Sequence, residues 1–327
     1  MNKRERVMAA IRGEPVDRVP VSFWLHNFAQ EGSAKALADE TVRLFEAFDW
    51  DFLKPQSRAT CFAEMWGARI ESSLQRAVPF QVRSLPCRNH EDFALLRPVD
   101  AAGGALGEQL EALLDIRRRV GIEVPLVGTI FAPLMSATFM LAGGRDAVLK
   151  MMREHPDSLE QGLAAIGKTL TDYARNCTQA GIDGIFFATN VATRPLMTIE
   201  ECRRFQRPFD LPVLAAAKDA PFNIMHVCGD DTLFDEFIDY PVAVLSWATS
   251  KGNPGLVEVR DRSGRAVLGG LPAKPEIGKM SAAALVEQAR ASIAATGGRH
   301  HLLGPGCSIN ADTPDELMRA VGSAIAL

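Results

Sequence analysis

The chain lacks the features that mark an exported, membrane-bound or nucleic-acid-binding protein. No secretory signal is visible, because Met1-Asn2-Lys3-Arg4 runs straight into an amphipathic segment. The longest apolar stretch, around residues 124–142, is broken by Gly128, Pro133, Ser136 and Thr138, too often for a membrane span. Six cysteines, at 61, 87, 177, 202, 228 and 307, have no disulfide-framework spacing. Reduced thiols and a cytoplasmic location are therefore expected. There is no basic surplus: 36 Lys and Arg against 40 Asp and Glu leave a net charge of −4, which argues against a nucleic-acid surface. Lys3, Arg4 and Arg6 cluster, but on a short helix they read as a solvated face. Gly103-Gly104 and Gly269-Gly270 lack the context of a phosphate loop; the second pair closes an apolar run and reads as a close backbone approach to a site. Internal repeats and low-complexity segments are also missing.

What is present is a long run of alternating elements. With 327 residues, 47% hydrophobic and 23% charged, the chain has ample length for a large core. Short apolar runs flanked by Gly, Pro or Asp read as buried strands at 19–24, 50–54, 125–130, 184–188, 222–227, 242–247, 266–270 and 300–304. Helical patterns fall at 34–48, 107–120, 145–155, 158–180, 199–220, 231–238, 281–295 and 314–326. Thr198 with Glu201 has the spacing of a capping box, and Thr313-Pro314 that of a helix start. Eight strands alternating with helices predict one (β/α)₈ barrel over residues 1–327, with a doubly wound sheet as the alternative. Residues of about 60–120 form an insertion near the barrel mouth, in which 68–73 and 80–85 have hairpin character.

Two segments about eighty residues apart carry the chemistry: His226-Val227-Cys228-Gly229 and Gly304-Pro305-Gly306-Cys307. Each closes a predicted strand. His226 and Cys228 are two apart, so on a strand they face the same way. With Cys307 they make an imidazole and two thiolates. That set suits zinc and leaves a fourth position open to substrate. The competing reading is three buried core residues. In a barrel all three fall at strand ends, where reactive groups gather. Asp230 and Asp231 read as caps of the following helix, or as carboxylates orienting His226. Pocket-lining candidates are His26 and Asn27 after the first strand, Asn190 with Thr189 after the fourth, and Trp247 at the end of the sixth; loop or packing roles compete in each case. Asp183 reads as a turn residue.

Several segments resemble the uroporphyrinogen decarboxylase superfamily. They include Arg12-Gly-Glu-Pro-Val-Asp-Arg-Val-Pro-Val21, the run from Val127 to Gly143, His155-Pro-Asp157, Ala180-Gly-Ile-Asp-Gly-Ile-Phe186, Leu268-Gly-Gly-Leu-Pro272, and the two chemistry-bearing segments. The resemblance spans nearly the whole chain and implies a (β/α)₈ barrel. Glu64, in Glu64-Met-Trp-Gly67, resembles the pattern after the second strand and implies a substrate or metal contact; the start of the insertion is the plainer reading. The decarboxylases carry arginines after the first strand, an Asp after the second and a Gly-His-Gly near the end. Here those places hold residues 23–30 without arginine, 52–63 without Asp, and Gly304-Pro-Gly-Cys307. A polyanionic macrocycle needs paired guanidinium groups.

The other branch, the corrinoid-linked methyltransferases, carries His-x-Cys followed by a distant Cys. That resemblance implies that His226, Cys228 and Cys307 hold a catalytic Zn²⁺. It also implies that methyl passes between a small thiol, methyl ether or methylamine and a cobalamin-type corrinoid. With no Asp-x-His-x-x-Gly corrinoid motif in the chain, a separate corrinoid protein is implied. A decarboxylase acting on a carboxylate substrate and a non-catalytic corrinoid-binding module are the alternatives. Enzymes of this size are commonly homodimers.

Overall fold

The computed structural model describes residues 1–250 and 252–325. In chain order, an antiparallel hairpin, β1 (Arg69–Glu71) and β2 (Gln81–Ser84), precedes six strands: β3 (Val127–Phe131), β4 (Gly184–Thr189), β5 (Ile224–Val227), β6 (Val244–Trp247), β7 (Ala266–Leu271) and β8 (His301–Pro305). β3 to β8 form one parallel sheet in sequence order.

The first two expected strands exist only as single bridges, and they close the ring. Val21 bridges β8 at Leu303, and Leu53 bridges Leu126 next to β3. The Asp51 N–H donates to the Val21 carbonyl at 2.8 Å, joining the two segments to each other. The eight-membered parallel barrel is thus closed. Proline explains why these two ladders are short: Pro20 and Pro55 have no N–H to extend them.

Side-chain alternation sorts the strands into two cores. Trp24, Phe52, Val127, Phe186, Ala188, Ile224, Val244, Leu268 and Leu302 fill the barrel interior. Their neighbours, among them Val21, Leu53, Ile130, Phe187, Val227, Trp247 and Leu303, face the outer helices in a larger core. The outer helices include Ala34–Phe48, Gly104–Val120, Gly144–Glu154, Pro156–Gln179 and Ala282–Thr296. Among the described residues, no helix is long and apolar enough to cross a membrane.

Some expected elements differ. The single helix over 199–220 is two, Ile199–Phe205 and Arg207–Ala216, broken at Gln206 where Pro208 removes a helix donor. The Thr198–Glu201 capping box is present. The helix over 231–238 shrinks to one 3₁₀ turn, Phe234–Phe237, after Asp231 takes a left-handed φ of 48°. Leu256–Ser263 is a helix that the apolar pattern did not suggest, although Gly264 closes it in the left-handed conformation typical of a helix end. Ala326, the expected end of the last helix, lies outside the described residues. The loop between β1 and β2 is tied to two other segments: the Phe28 N–H donates to the Arg76 carbonyl, and Arg76 Nε donates to the Ala311 carbonyl at 2.6 Å.

Candidate metal centre

β5 reads Ile-Met-His-Val and is fully buried. His226 pairs in register with Ala188 on β4 and Ser246 on β6, so its ring enters the barrel interior. The Cys228 N–H donates to the Thr189 carbonyl at 2.8 Å, which carries the ladder as far as the cysteine. Gly229 then turns the chain away at φ 121°, a conformation that side chains rarely adopt. On β8, the Gly306 N–H donates to the Leu271 carbonyl at 2.9 Å. A Cβ at Gly306 would meet Ala248 Cα at 2.6 Å. Only glycine lets the end of β8 close on the end of β6, and that approach delivers Cys307.

The donor atoms of His226, Cys228 and Cys307 all lie within 4.8 Å of one another. The two Sγ atoms are 3.1 Å apart. His226 Nδ1 is 3.1 Å from Ser246 Oγ, whereas Nε2 is buried without a hydrogen-bond partner. Buried polar atoms are rarely left so. Bonds from zinc to sulfur and nitrogen run about 2.0–2.3 Å. An orphan imidazole nitrogen and two thiols this close therefore fit a Cys₂His zinc set. The hydrogen bond from Cys228, aided by His226, holds the Cys307 thiol well below its usual pKa; the same contact and burial hold Cys228 well above its own.

The other four cysteines are buried away from this cluster. Burial pushes Cys87 up to about 11, and Cys177 and Cys202 up to about 12. They are inert packing thiols.

The three donors open into a cavity of about 290 Å³. Trp24, Phe131, Met135 and Phe186 give it apolar walls, and His26, Gln56, Asn190 and Ser308 add polar ones. Its cations are Lys54 and Lys274. Lys54 is 7% exposed, and burial lowers its pKa to about 7. Its ammonium sits 4.8 Å from the Phe186 ring centre and donates to Gln56 Oε1.

Of the pocket-lining candidates, His26, Thr189 and Asn190 line this cavity. Asn27 does not: its side chain donates to Glu40 at 2.9 Å. Glu64 is taken up by Arg58 Nε at 2.9 Å and by the Thr60 hydroxyl at 2.8 Å, an ion pair at the start of the insertion. Trp247 points outward into the helix-facing core, packs against Phe234 with the rings tilted by 51°, and donates to the Pro254 carbonyl at 2.9 Å. The register explains it: Ser246 faces in, so Trp247 faces out.

Ser246, not Asp230 or Asp231, orients His226. Asp230 accepts from Ser250, and Asp231 pairs with Arg194. Gly270 makes room for Ser292 on an outer helix rather than for the site. Asp183 is not a turn residue but an ion-pair hub for Arg4 and Arg117. Sequence reasoning missed Lys54 and Gln56. Their signal was available, since 52, 54 and 56 alternate inward from Phe52 at the end of the second segment.

Comparison with known proteins agrees with this architecture. The family model described as uroporphyrinogen decarboxylase (URO-D) matches residues 2–326. A methylcobamide:CoM methyltransferase MtaA from Methanosarcina barkeri is 25% identical over 98% of this chain and 96% of its own length. A methylcobamide:CoM methyltransferase MtbA from Methanosarcina acetivorans is 24% identical over 70% of each chain. The solved structure of a methyltransferase from Methanosarcina mazei superposes with a TM-score of 0.84 at 22% identity, covering 99% of this chain and 98% of that one.

Proposed function

The chain belongs to the uroporphyrinogen decarboxylase family, and we propose that within it this protein is a zinc-dependent methyltransferase that works with a separate corrinoid protein. The observation that carries the reading is the cluster of His226, Cys228 and Cys307, with one buried imidazole nitrogen left without a partner. The names of the MtaA and MtbA relatives support methyl transfer between a cobamide and a small thiol. A zinc ion held by these residues would supply Lewis acidity to a thiol or to a methyl-bearing heteroatom.

The chain's own residues do the rest. Ser246 fixes the imidazole ring so that Nε2 faces the thiols. Two thiolates and a neutral imidazole would offset the charge of a divalent cation, leaving a bound sulfur much of its nucleophilicity. Trp24, Phe131 and Phe186 exclude water from the reacting centre. His26 and Asn190 are the chain's candidates for orienting the small substrate. The corrinoid partner would approach over the barrel mouth, the open end of the cavity. Decarboxylation of a tetrapyrrole is disfavoured because the residues lining the cavity include no arginine to hold its carboxylates.

Metal analysis of protein purified without chelators tests the reading. About one zinc per chain is expected, lost in Cys307→Ser with the circular dichroism spectrum unchanged. Protein that carries no zinc and takes none up on reconstitution would overturn it.

A further inference from the structure

Both ring nitrogens of His26 are engaged, and its neighbours decide which one carries the proton. Its side chain is 16% exposed and stacks on Phe28, with ring centres 4.4 Å apart. Nδ1 lies 2.9 Å and 3.0 Å from the two Glu31 carboxylate oxygens. Nε2 lies 2.8 Å from Gln56 Nε2. The far end of this chain of contacts fixes the tautomer. Lys54 donates to Gln56 Oε1, and Glu31 and Cys307 both favour the ammonium form of Lys54, which can only donate. Gln56 therefore turns its amide N–H toward His26. His26 Nε2 must accept, and the ring proton sits on Nδ1, facing Glu31. The imidazole is neutral, with its lone pair on Nε2.

Glu31 gives that lone pair a use. It is 2% exposed, and among the described residues His26 is its only ion-pair partner. Its one backbone donor is the Asn27 N–H at 2.9 Å. A buried carboxylate facing a neutral imidazole is only partly compensated, and a second proton on the ring would complete an ion pair. Nε2, by contrast, meets only a neutral amide, which must turn away once that nitrogen is protonated. His26 and Gln56 line the same cavity as His226, Cys228 and Cys307. The cavity thus holds, beside the thiol cluster, an imidazole with a free-to-protonate nitrogen and a carboxylate behind it.

We propose that His26 is the general base of this cavity: it takes the thiol proton when a small thiol binds at His226, Cys228 and Cys307, and Glu31 holds the imidazolium so formed. The S–H bond breaks, its electron pair stays on sulfur, and an N–H bond forms at Nε2. No oxidant or further reactant is needed. Glu31 acts through His26 and is a positioning residue. The other titratable groups of the cavity wall, Lys54 and Lys274, are the competing proton acceptors. The assignment rests on the methyltransferase reading, which supplies the thiol.

Calorimetric titration of 2-mercaptoethanol into zinc-loaded protein, in two buffers of different ionisation enthalpy, counts the protons released per thiol bound. At about pH 7 the free thiol is protonated, so a bound thiolate must shed its proton either to the protein or to the buffer. Wild type is expected to release almost none. His26→Gln and Glu31→Gln should each release about one proton per thiol, with zinc content unchanged. Release of about one proton by wild type would overturn the proposal, and that measurement needs no variant to fold. Retention that survives in His26→Gln would also overturn it, and its loss in Lys54→Met would then assign the proton to Lys54. If the chain holds no zinc, or the zinc-loaded protein takes up no thiol, the methyltransferase reading falls and His26 loses its role with it. Zinc and thiol bound, with the proton fully released by wild type, overturns the role of His26 alone.

Discussion

The two ends of the barrel treat charge in opposite ways. At the end where the strands begin, every buried acid is matched. Asp51, fully buried, accepts from Arg6 Nη1 at 2.7 Å, from Arg18 Nη1 at 2.5 Å and from the Val21 N–H at 2.8 Å. Asp183 accepts from Arg4, from Arg117 and from the Leu126 N–H. At the end where the strands finish, polar atoms go without. Among the described residues, His226 Nε2 and Asn190 Oδ1 have no hydrogen-bond partner, and Lys54 forms no ion pair within 4 Å. One end answers its buried carboxylates with arginines of the chain and so stabilises the ring. The other leaves an imidazole nitrogen and an amide oxygen at the cavity free to meet a ligand.

Metal removal breaks the comparison hardest. Chelation of the proposed centre is expected to cut methyl transfer about a thousandfold or more, with recovery on adding zinc. The far-ultraviolet circular dichroism spectrum should not change, because the barrel's packing does not depend on the cluster, while the melting temperature falls by the linkage that any ion bound only to the folded state imposes. Loss of secondary structure on chelation at about 25 °C would mean that this end also serves to hold the fold.

Asp51→Asn attacks the opposite end. It leaves Arg6 and Arg18 facing a neutral amide in a buried place, and a loss of about 3–5 kcal/mol in urea unfolding is expected. Zinc content per folded chain should stay at the wild-type level. A variant that lost zinc before it lost stability would contradict the division of labour between the ends.

Ser246→Ala sharpens the comparison within the open end. It removes the partner of His226 Nδ1 and frees the ring to turn. Zinc affinity is expected to fall about 10–100-fold, measured by chelator competition, with stability changed by no more than about 1 kcal/mol.

How far these differences were legible beforehand depends on the kind of contact. The convergence of His226, Cys228 and Cys307 needed only strand periodicity and a closed ring, both local consequences of apolar runs between breakers. The hairpin of β1 and β2 was legible for the same reason. Trp247 was misplaced by one position of register, since a two-residue period puts Ser246 inside and its neighbour outside. Asp183 and Asp51 were opaque because their partners, Arg4 and Arg18 among them, come from far along the chain. The inward turn of Lys54 could be read from the alternation of 52, 54 and 56, but not its contact with the Phe186 ring, which comes from a strand far along the chain.

The smallest effect in size, and the most telling in sign, belongs to Lys54→Met. Burial lowers the Lys54 pKa from an ordinary lysine value to about 7. Between pH 7 and about 10 the unfolded chain therefore binds a proton at this position that the folded chain does not. Folded stability contributed by this residue must rise with pH across that window. Below it, both states are protonated and the folded state carries the full cost of the buried ammonium. Replacing Lys54 by Met removes that cost, but it also removes the donor to Gln56 Oε1 and the contact with Phe186. The net change at pH 7 should lie within about 1 kcal/mol of zero. The slope is the signature: wild type should gain stability relative to the variant as pH rises from 7 toward 10, in matched urea titrations of metal-free protein. Parallel curves for wild type and Lys54→Met would mean that Lys54 is already neutralised by the fold, and the contrast between the two ends would then rest on His226 and Asn190 alone.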